Sequence, residues 1–463
     1  MNDYAAFVSS KLTRVPPAGF DVAEEWPHLF DFQRDLVRWA LRRGRCAIFA
    51  DTGLGKSRMQ VTWAHHVAEH TGLPVLILAP LAVARQTVEE GASIGISVTL
   101  CREAADVRSG VNVTNYDRLH LFDAGAFGGV VLDESSIIKS LFSKTLGALL
   151  IAFAATPYKL CCSATPSPND FTELGTHCEF LGICTVAEMK AEYFVHDGGS
   201  TQDWRLKGHA RGAFWKFVSS WGALVRSPED LGYDGSAYVL PPLNVEHHMI
   251  EASAEAVAAS GQLFAVPAQS LMERRAARKG SIVDRVHRCA DLVNADDEVW
   301  IVWTDLNDES SSLTKLIRGA VEVTGSMSSD EKEAALEKFR TGEARVLVSK
   351  ASICGWGLNW QHCHKMAFVG VTDSWEAYYQ AVRRMWRFGQ LLACFVHIFA
   401  SELEGAVVAN LARKERDAKT MADELSRETS ASVREAVRGT QRTSNSYDAH
   451  TPMVVPAWIS EAA

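Results

Sequence analysis

Twice along this chain, short apolar runs alternate with longer stretches of helical composition. Few folds accommodate that pattern. The first block covers residues 31–170, with the runs CAIFA (46–50), VLILA (75–79), VNVTN (111–115), VVLD (130–133) and YKLCCSA (158–164). The second covers 281–400, with VWIVW (299–303), VEVTG (321–325), RVLVS (345–349), KMAFVG (365–370) and CFVHIFA (394–400). Strands buried on both faces of a parallel sheet read as continuous apolar runs. Strands that alternate with helices build right-handed βαβ units. The pattern predicts an α/β fold class with two lobes, each a parallel sheet flanked by helices.

Residues 171–280 break the rhythm. They are rich in Gly, Trp and Phe around 194–235, carry Pro241-Pro242, and turn helical and partly basic over 251–280. They are expected to form an insertion and interlobe connection, with Phe194, Trp204, Phe214, Trp215, Phe217 and Trp221 as its small hydrophobic core. Residues 1–30, punctuated by Pro16, Pro17 and Pro27, read as a lead-in. Residues 401–463 read as a charged helix (402–428) followed by a Ser/Thr-rich flexible tail.

The composition, 47% hydrophobic and 22% charged, is that of a globular protein with real cores. There is no apolar run long enough to span a bilayer and no secretory leader, so neither a membrane nor secretion is expected. Ten cysteines without CxxC spacing point to a reduced, cytoplasmic setting. A net charge of −9 excludes a protein that coats nucleic acid by bulk electrostatics. It leaves open a local grip on phosphates.

The segment CAIFADTGLGKSRMQ (46–60) joins a strand, a glycine-rich turn and a helix start. Asp51, Thr52, Gly53, Leu54 and Gly55 form a loop whose glycines let backbone N–H groups approach a phosphate. Lys56 supplies charge for the β- and γ-phosphates, Ser57 offers a hydroxyl to Mg²⁺, and the helix N-terminus faces the anion. Downstream, VVLDESS (130–136) delivers two carboxylates at the C-terminal end of a strand, where ligands bind in open α/β sheets. Asp133 is the candidate Mg²⁺ ligand and Glu134 the candidate group that orients and activates water. The cofactors expected are ATP and Mg²⁺.

These segments resemble the motifs of superfamily 2 helicases, and the Swi/Snf-like DNA translocases most closely. ADTGLGKSRMQ resembles their first motif. DFQRDLVRWAL (31–41) resembles the segment in which Gln33 would read adenine. APLAVARQ (79–86) resembles a nucleic-acid-contacting motif. CSATPSPNDFTEL (162–174) resembles the third motif, with Ser163, Ala164 and Thr165 coupling hydrolysis to lobe movement. VTGSMSSDEKEAALEKFRTGEARVLVSKASICGWGLNWQ (323–361) resembles the fifth, including Gly357 and Asn359. EAYYQAVRRMWRFGQ (376–390) resembles the sixth, including Gln380, Arg384 and Arg387.

The resemblance implies two RecA-like lobes of phage or bacterial type. It also implies ATP hydrolysis between the lobes and DNA rather than RNA as the track, with replication, repair or restriction proteins as partners. Two departures stand out. Ser135 and Ser136 follow the acidic pair where relatives place a histidine that reaches the third motif, and Trp386 replaces a histidine between the arginines.

Arg384 and Arg387, three apart, share one face if they lie on a helix. They can then reach across a cleft as arginine fingers and make hydrolysis depend on lobe closure. For Arg383 a solvated position is equally open. For Trp375, packing and strand contact are both open. The basic run ERRAARKGSIVDRVHR (273–288) reads as a solvated amphipathic helix, with phosphate contact as the alternative. WQHCHK (360–365) places adjacent ligand-type residues on opposite strand faces and does not read as a metal site. Two other functions compete with translocation along duplex DNA: strand separation, and an ATP-dependent switch without motor activity.

Overall fold

The computed structural model describes residues 19–141, 143–167, 170–196, 204–250, 280–354, 359–370 and 374–402, with separate positions between 410 and 437. The first lobe runs α1 (Asp31–Arg43), β1 (Arg45–Ala50), α2 (Lys56–Thr71), β2 (Val75–Ala79), α3 (Leu81–Ser93), β3 (Val98–Leu100), β4 (Val111–Asn115), β5 (Gly129–Asp133), α4 (Lys144–Ala152) and β6 (Tyr158–Cys162). It continues through α5 (Leu174–Leu181), α6 (Val186–Tyr193), the antiparallel pair β7 (Phe194–His196) and β8 (Trp204–Leu206), α7 (Arg211–Trp221) and β9 (Gly222–Val225). Seven strands form a parallel sheet in the order β3-β4-β2-β5-β6-β1-β9.

The second lobe contains β10 (Leu243–Ile250), α8 (Ile282–Asn294), β11 (Trp300–Thr304), α9 (Asn307–Leu316), β12 (Ala320–Val323), α10 (Ser329–Thr341), β13 (Val346–Lys350), α11 (Ala351–Cys354), β14 (Lys365–Val369), α12 (Trp375–Val382) and β15 (Cys394–Ser401). Its six strands are parallel in the order β10-β15-β14-β11-β13-β12. The chain is thus an α/β protein of two RecA-like lobes, each a parallel sheet between layers of helix. Apolar clusters cover both faces of each sheet. That is why the strands read as unbroken hydrophobic runs.

The region read as an insertion divides differently. β9 pairs with β1 and completes the first sheet. Phe194, Phe214, Trp215 and Trp221 are buried in the same cluster as Phe49, Leu132 and Cys161, on one face of that sheet. These aromatics therefore form a core, but it is the core of lobe 1. Leu243–Ile250 pairs with β15 and belongs to lobe 2. Gly222–Val225 follows α7 with no polar break, so no boundary shows in sequence. β10 is an edge strand with mostly solvent-facing side chains and lacks the apolar signature.

Three smaller expectations change. The described part of the lead-in packs on lobe 1: Trp26 is buried and its indole N–H donates to His66 Nε2 at 2.8 Å. Beyond residue 428, Val433 and Val437 are buried in the first lobe's core rather than lying in a loose tail. Most of the helix expected over 402–428 lies outside the described residues. Arg285, read as solvated, is fully buried and pairs with Glu309 at 2.7 Å, joining α8 to α9.

Candidate nucleotide site between the lobes

The loop between β1 and α2 turns through two left-handed glycines, Gly53 (φ 92°) and Gly55 (φ 78°). Gly55 is doubly constrained. A Cβ there would stand 2.3 Å from Gln33 Nε2. Gln33 is buried and holds this loop: its Oε1 accepts from the Phe30 N–H at 3.0 Å and its Nε2 donates to the Leu54 carbonyl at 2.9 Å. Lys56 Nζ reaches back over the loop to the carbonyls of Ala50 (2.9 Å) and Asp51 (3.3 Å).

β5 ends at Asp133, whose carboxylate accepts from Gln60 Nε2 at 2.7 Å. Burial, reinforced by the neighbouring Glu134, pushes the Asp133 carboxyl up to about 6. Among the described residues, Glu134 is the only non-glycine residue with positive φ (49°). A left-handed non-glycine residue costs on the order of 1–3 kcal/mol and concentrates at functional positions. The turn aims Glu134 into the cleft, where its Oε2 is buried without a hydrogen-bond partner in the described structure. An orphaned carboxylate oxygen beside Ser57 and Asp133 suits water or a hard cation with oxygen ligands.

Lobe 2 closes the other side. Arg384 and Arg387 do not lie on a helix: α12 ends at Val382 and both sit in the turns after it. Those turns nonetheless bring both side chains to one cavity. Arg384 is buried and anchored on Gln380, through Nε to its carbonyl (2.8 Å) and through a terminal nitrogen to its Oε1 (2.9 Å). Arg387 donates to Asn359 Oδ1. Burial lowers Arg384 to about 10, while burial and the like charge of Arg384 lower Arg387 to about 9. The cavity, about 310 Å³, is lined by Gln33, Lys56, Ser57, Asp133 and Glu134 from one lobe and by Asn359, Arg384 and Arg387 from the other.

Sequence reasoning left several residues of this cleft unassigned. Arg383 is not solvated. It pairs with Asp51 at 3.0 Å while Tyr379 donates to the same carboxylate at 2.6 Å, tying α12 to the phosphate loop. Burial opposes the Asp51 charge, but Arg383 and these hydrogen bonds hold it below the ordinary carboxylate range. Glu376 of α12 takes Lys139, and Thr165 Oγ1 donates to it at 3.5 Å. Trp375 stacks on Tyr379, with ring centroids 4.9 Å apart.

Phe30, Tyr238 and Phe388 also line the cleft, with Tyr238 and Phe388 stacked at 4.6 Å. The aromatic character of Phe30, just before Gln33, was the one available clue.

Of the expected coupling residues, Thr165 N donates to Ser163 Oγ at 3.1 Å. Ala164 sits between them, and Gln380 and Asn359 hold the two arginines. Gly357 lies outside the described residues. A histidine does meet the residue after the acidic pair, from elsewhere in the first lobe. His177 of α5 lies 3.1 Å from Ser135 Oγ through Nε2, and both are fully buried. Burial lowers the imidazole to about 4, so it is neutral at physiological pH.

Residues 284–389 match the helicase conserved C-terminal domain family. The helicase resemblance read from the motifs is thereby borne out across most of the second lobe. Fold and cleft together define a two-lobed α/β protein in which a glycine-rich loop of one lobe shares a cavity with a second lobe that matches the helicase conserved C-terminal domain family.

No curated protein sequence matches the chain. Among solved structures, the Sulfolobus solfataricus SWI2/SNF2 ATPase core in complex with dsDNA superposes with a TM-score of 0.40 at 16% identity, covering 92% of this chain and 99% of that one. The Sulfolobus solfataricus SWI2/SNF2 ATPase core domain gives 0.39 at 17% identity, covering 83% and 90%. No helix among the described residues is long and apolar enough to cross a membrane.

Proposed function

We propose that this chain hydrolyses ATP in the interlobe cleft and uses the resulting lobe movement to travel along DNA. One observation carries the reading. Lys56, Asp133 and Glu134 of lobe 1 face the same cavity as Arg384 and Arg387 of lobe 2. Phosphoryl transfer needs positive charge on both sides of the γ-phosphate, and this cleft supplies it only while the lobes are together.

The adenine end is the aromatic wall of Phe30, Tyr238 and Phe388, with Gln33 beside it. The loop amides of 52–55 and Lys56 take the phosphates. Ser57 and Asp133 offer oxygen donors for Mg²⁺, which when bound neutralises phosphate charge. Glu134 accepts a proton from water as its oxygen bonds to the γ-phosphorus. The bond from that phosphorus to the β–γ bridging oxygen breaks, and ADP leaves with the charge. Arg384 and Arg387 stabilise the equatorial oxygens.

Losing the γ-phosphate removes what draws the arginines to lobe 1. The Asp51–Arg383 and Glu376–Thr165 contacts then report hydrolysis to α12. The motifs favour DNA, with movement along duplex rather than strand separation, in partnership with replication, repair or restriction proteins.

The experiment is ATP turnover with no nucleic acid, single-stranded DNA, duplex DNA and RNA, followed by triplex displacement beside forked-DNA unwinding. Stimulation by duplex with triplex displacement supports the proposal. Fork opening supports the strand-separating reading. Turnover indifferent to every nucleic acid overturns motor function and leaves an ATP-driven switch.

A further inference from the structure

We propose that Glu246, His248 and His397 form a binding site for one divalent transition-metal ion of the zinc class, away from the nucleotide cleft, where it clasps the edge strand of lobe 2 to its neighbour. The register of β10 on β15 places Glu246 opposite His397 and His248 opposite Phe399. Glu246 and His248, two apart on a strand, project on the same face.

The ligand atoms of all three lie within 4.8 Å of one another. His248 Nε2 stands 3.1 Å from His397 Nδ1, and His397 Nδ1 stands 3.4 Å from Glu246 Oε2. Nitrogen and oxygen donors at ~2.0–2.1 Å in a tetrahedral shell are separated by roughly 3.3–3.4 Å. The two separations from His397 match that spacing, and the third pair, Glu246 and His248, lies within 4.8 Å.

Their surroundings fix the rings. His248 stacks on Phe399 with centroids 4.5 Å apart and an interplanar angle of 11°. His397 packs against Trp300 at 5.5 Å. Two histidines with a carboxylate are a borderline donor set that suits zinc better than magnesium or calcium. The Glu246 side chain is 56% exposed, which gives an ion an entry path and room for water as the remaining ligand. β10 is the first strand of lobe 2 and otherwise sits at a sheet edge with mostly exposed side chains. A metal shared with β15 anchors that strand, and with it the point where the connection from lobe 1 arrives.

The test uses the full-length chain, stripped with a chelator and dialysed, titrated with Zn²⁺ alone by calorimetry, and with Co²⁺ by visible absorption. We expect one ion per chain. Co²⁺ should show ligand-field bands without thiolate charge transfer, which excludes the ten cysteines as the donors. His248→Ala should abolish binding. Glu246→Ala, an exposed change that spares the fold, should weaken it at least ~10-fold, since even outer-shell partners are worth that much. Zn²⁺ should raise the melting temperature of the unmodified chain and not of His248→Ala. Lys56→Ala should bind Zn²⁺ unchanged. No saturable binding, a thiolate spectrum, or affinity equal to the parent's in either the Glu246 or the His248 variant overturns the site and leaves only a hydrogen-bonded histidine pair.

Discussion

Replacing Arg387 with alanine separates catalysis from folding. The guanidinium is placed among Arg384, Glu134 and the phosphate loop, with Asn359 as its neutral hydrogen-bond partner and Nε unpartnered in the described structure. Its drop from the ordinary 12.5 to about 9 corresponds to roughly 5 kcal/mol of cost for carrying the charge there. In the proposed mechanism, negative charge developing on the γ-phosphoryl oxygens offsets most of that cost. An offset on the order of 4–5 kcal/mol is worth ~10³ or more in rate, inside the range known for arginine fingers.

The variant should therefore lose about three decades of DNA-stimulated turnover. ADP affinity should stay close to the parent, because the missing group faces the γ-position. Melting temperature should hold or rise, since an uncompensated charge leaves the interior. Phosphate release with and without duplex DNA, fluorescent-ADP titration and a thermal melt read all three. Turnover within about threefold of the parent, with ADP binding intact, refutes the finger role. A collapse in melting temperature shows that the arginine is structural.

Four further outcomes follow from the same geometry. Because burial and Glu134 raise Asp133 to about 6, protons compete with Mg²⁺ there, so Mg²⁺-dependent ATP affinity should rise with pH through about 6 and be lost in Asp133→Asn. The linked stability runs the other way. A carboxyl raised above its unfolded value favours the fold at low pH, and that contribution is lost as pH climbs from about 4 through 6, visible as a falling denaturation midpoint that Asp133→Asn abolishes. Gly55→Ala forces a Cβ to 2.3 Å from Gln33 Nε2 at a left-handed position and should abolish nucleotide binding by calorimetry, with the circular dichroism of the folded chain retained. His177→Ala leaves Ser135 Oγ buried without its imidazole and opens a cavity. It should cost about 2–4 kcal/mol in urea unfolding and uncouple DNA stimulation from basal hydrolysis, with His177→Gln restoring part of each; an unchanged denaturation midpoint counts against that link.

The ten apolar runs that sequence patterning assigned to strands each appear as a strand of a parallel sheet, because burial on both faces leaves no other composition open to them. The glycine-rich turn and the placement of Asp133 and Glu134 at the end of β5 were equally legible, because that geometry depends on backbone within a few residues.

What sequence did not reveal depends on distance in the chain. β9 and β10 are defined by the neighbours they pair with. Arg383 meets Asp51 more than 300 residues away, and His177 of α5 meets Ser135 from 42 residues along the chain. Even the shared direction of Arg384 and Arg387, expected from helical spacing, is produced by the turns after α12. Local composition selects strands, helices and a glycine-rich turn. Only the folding of one lobe against the other brings the far-separated charges within a few ångströms, where low dielectric makes their interaction strong enough to matter.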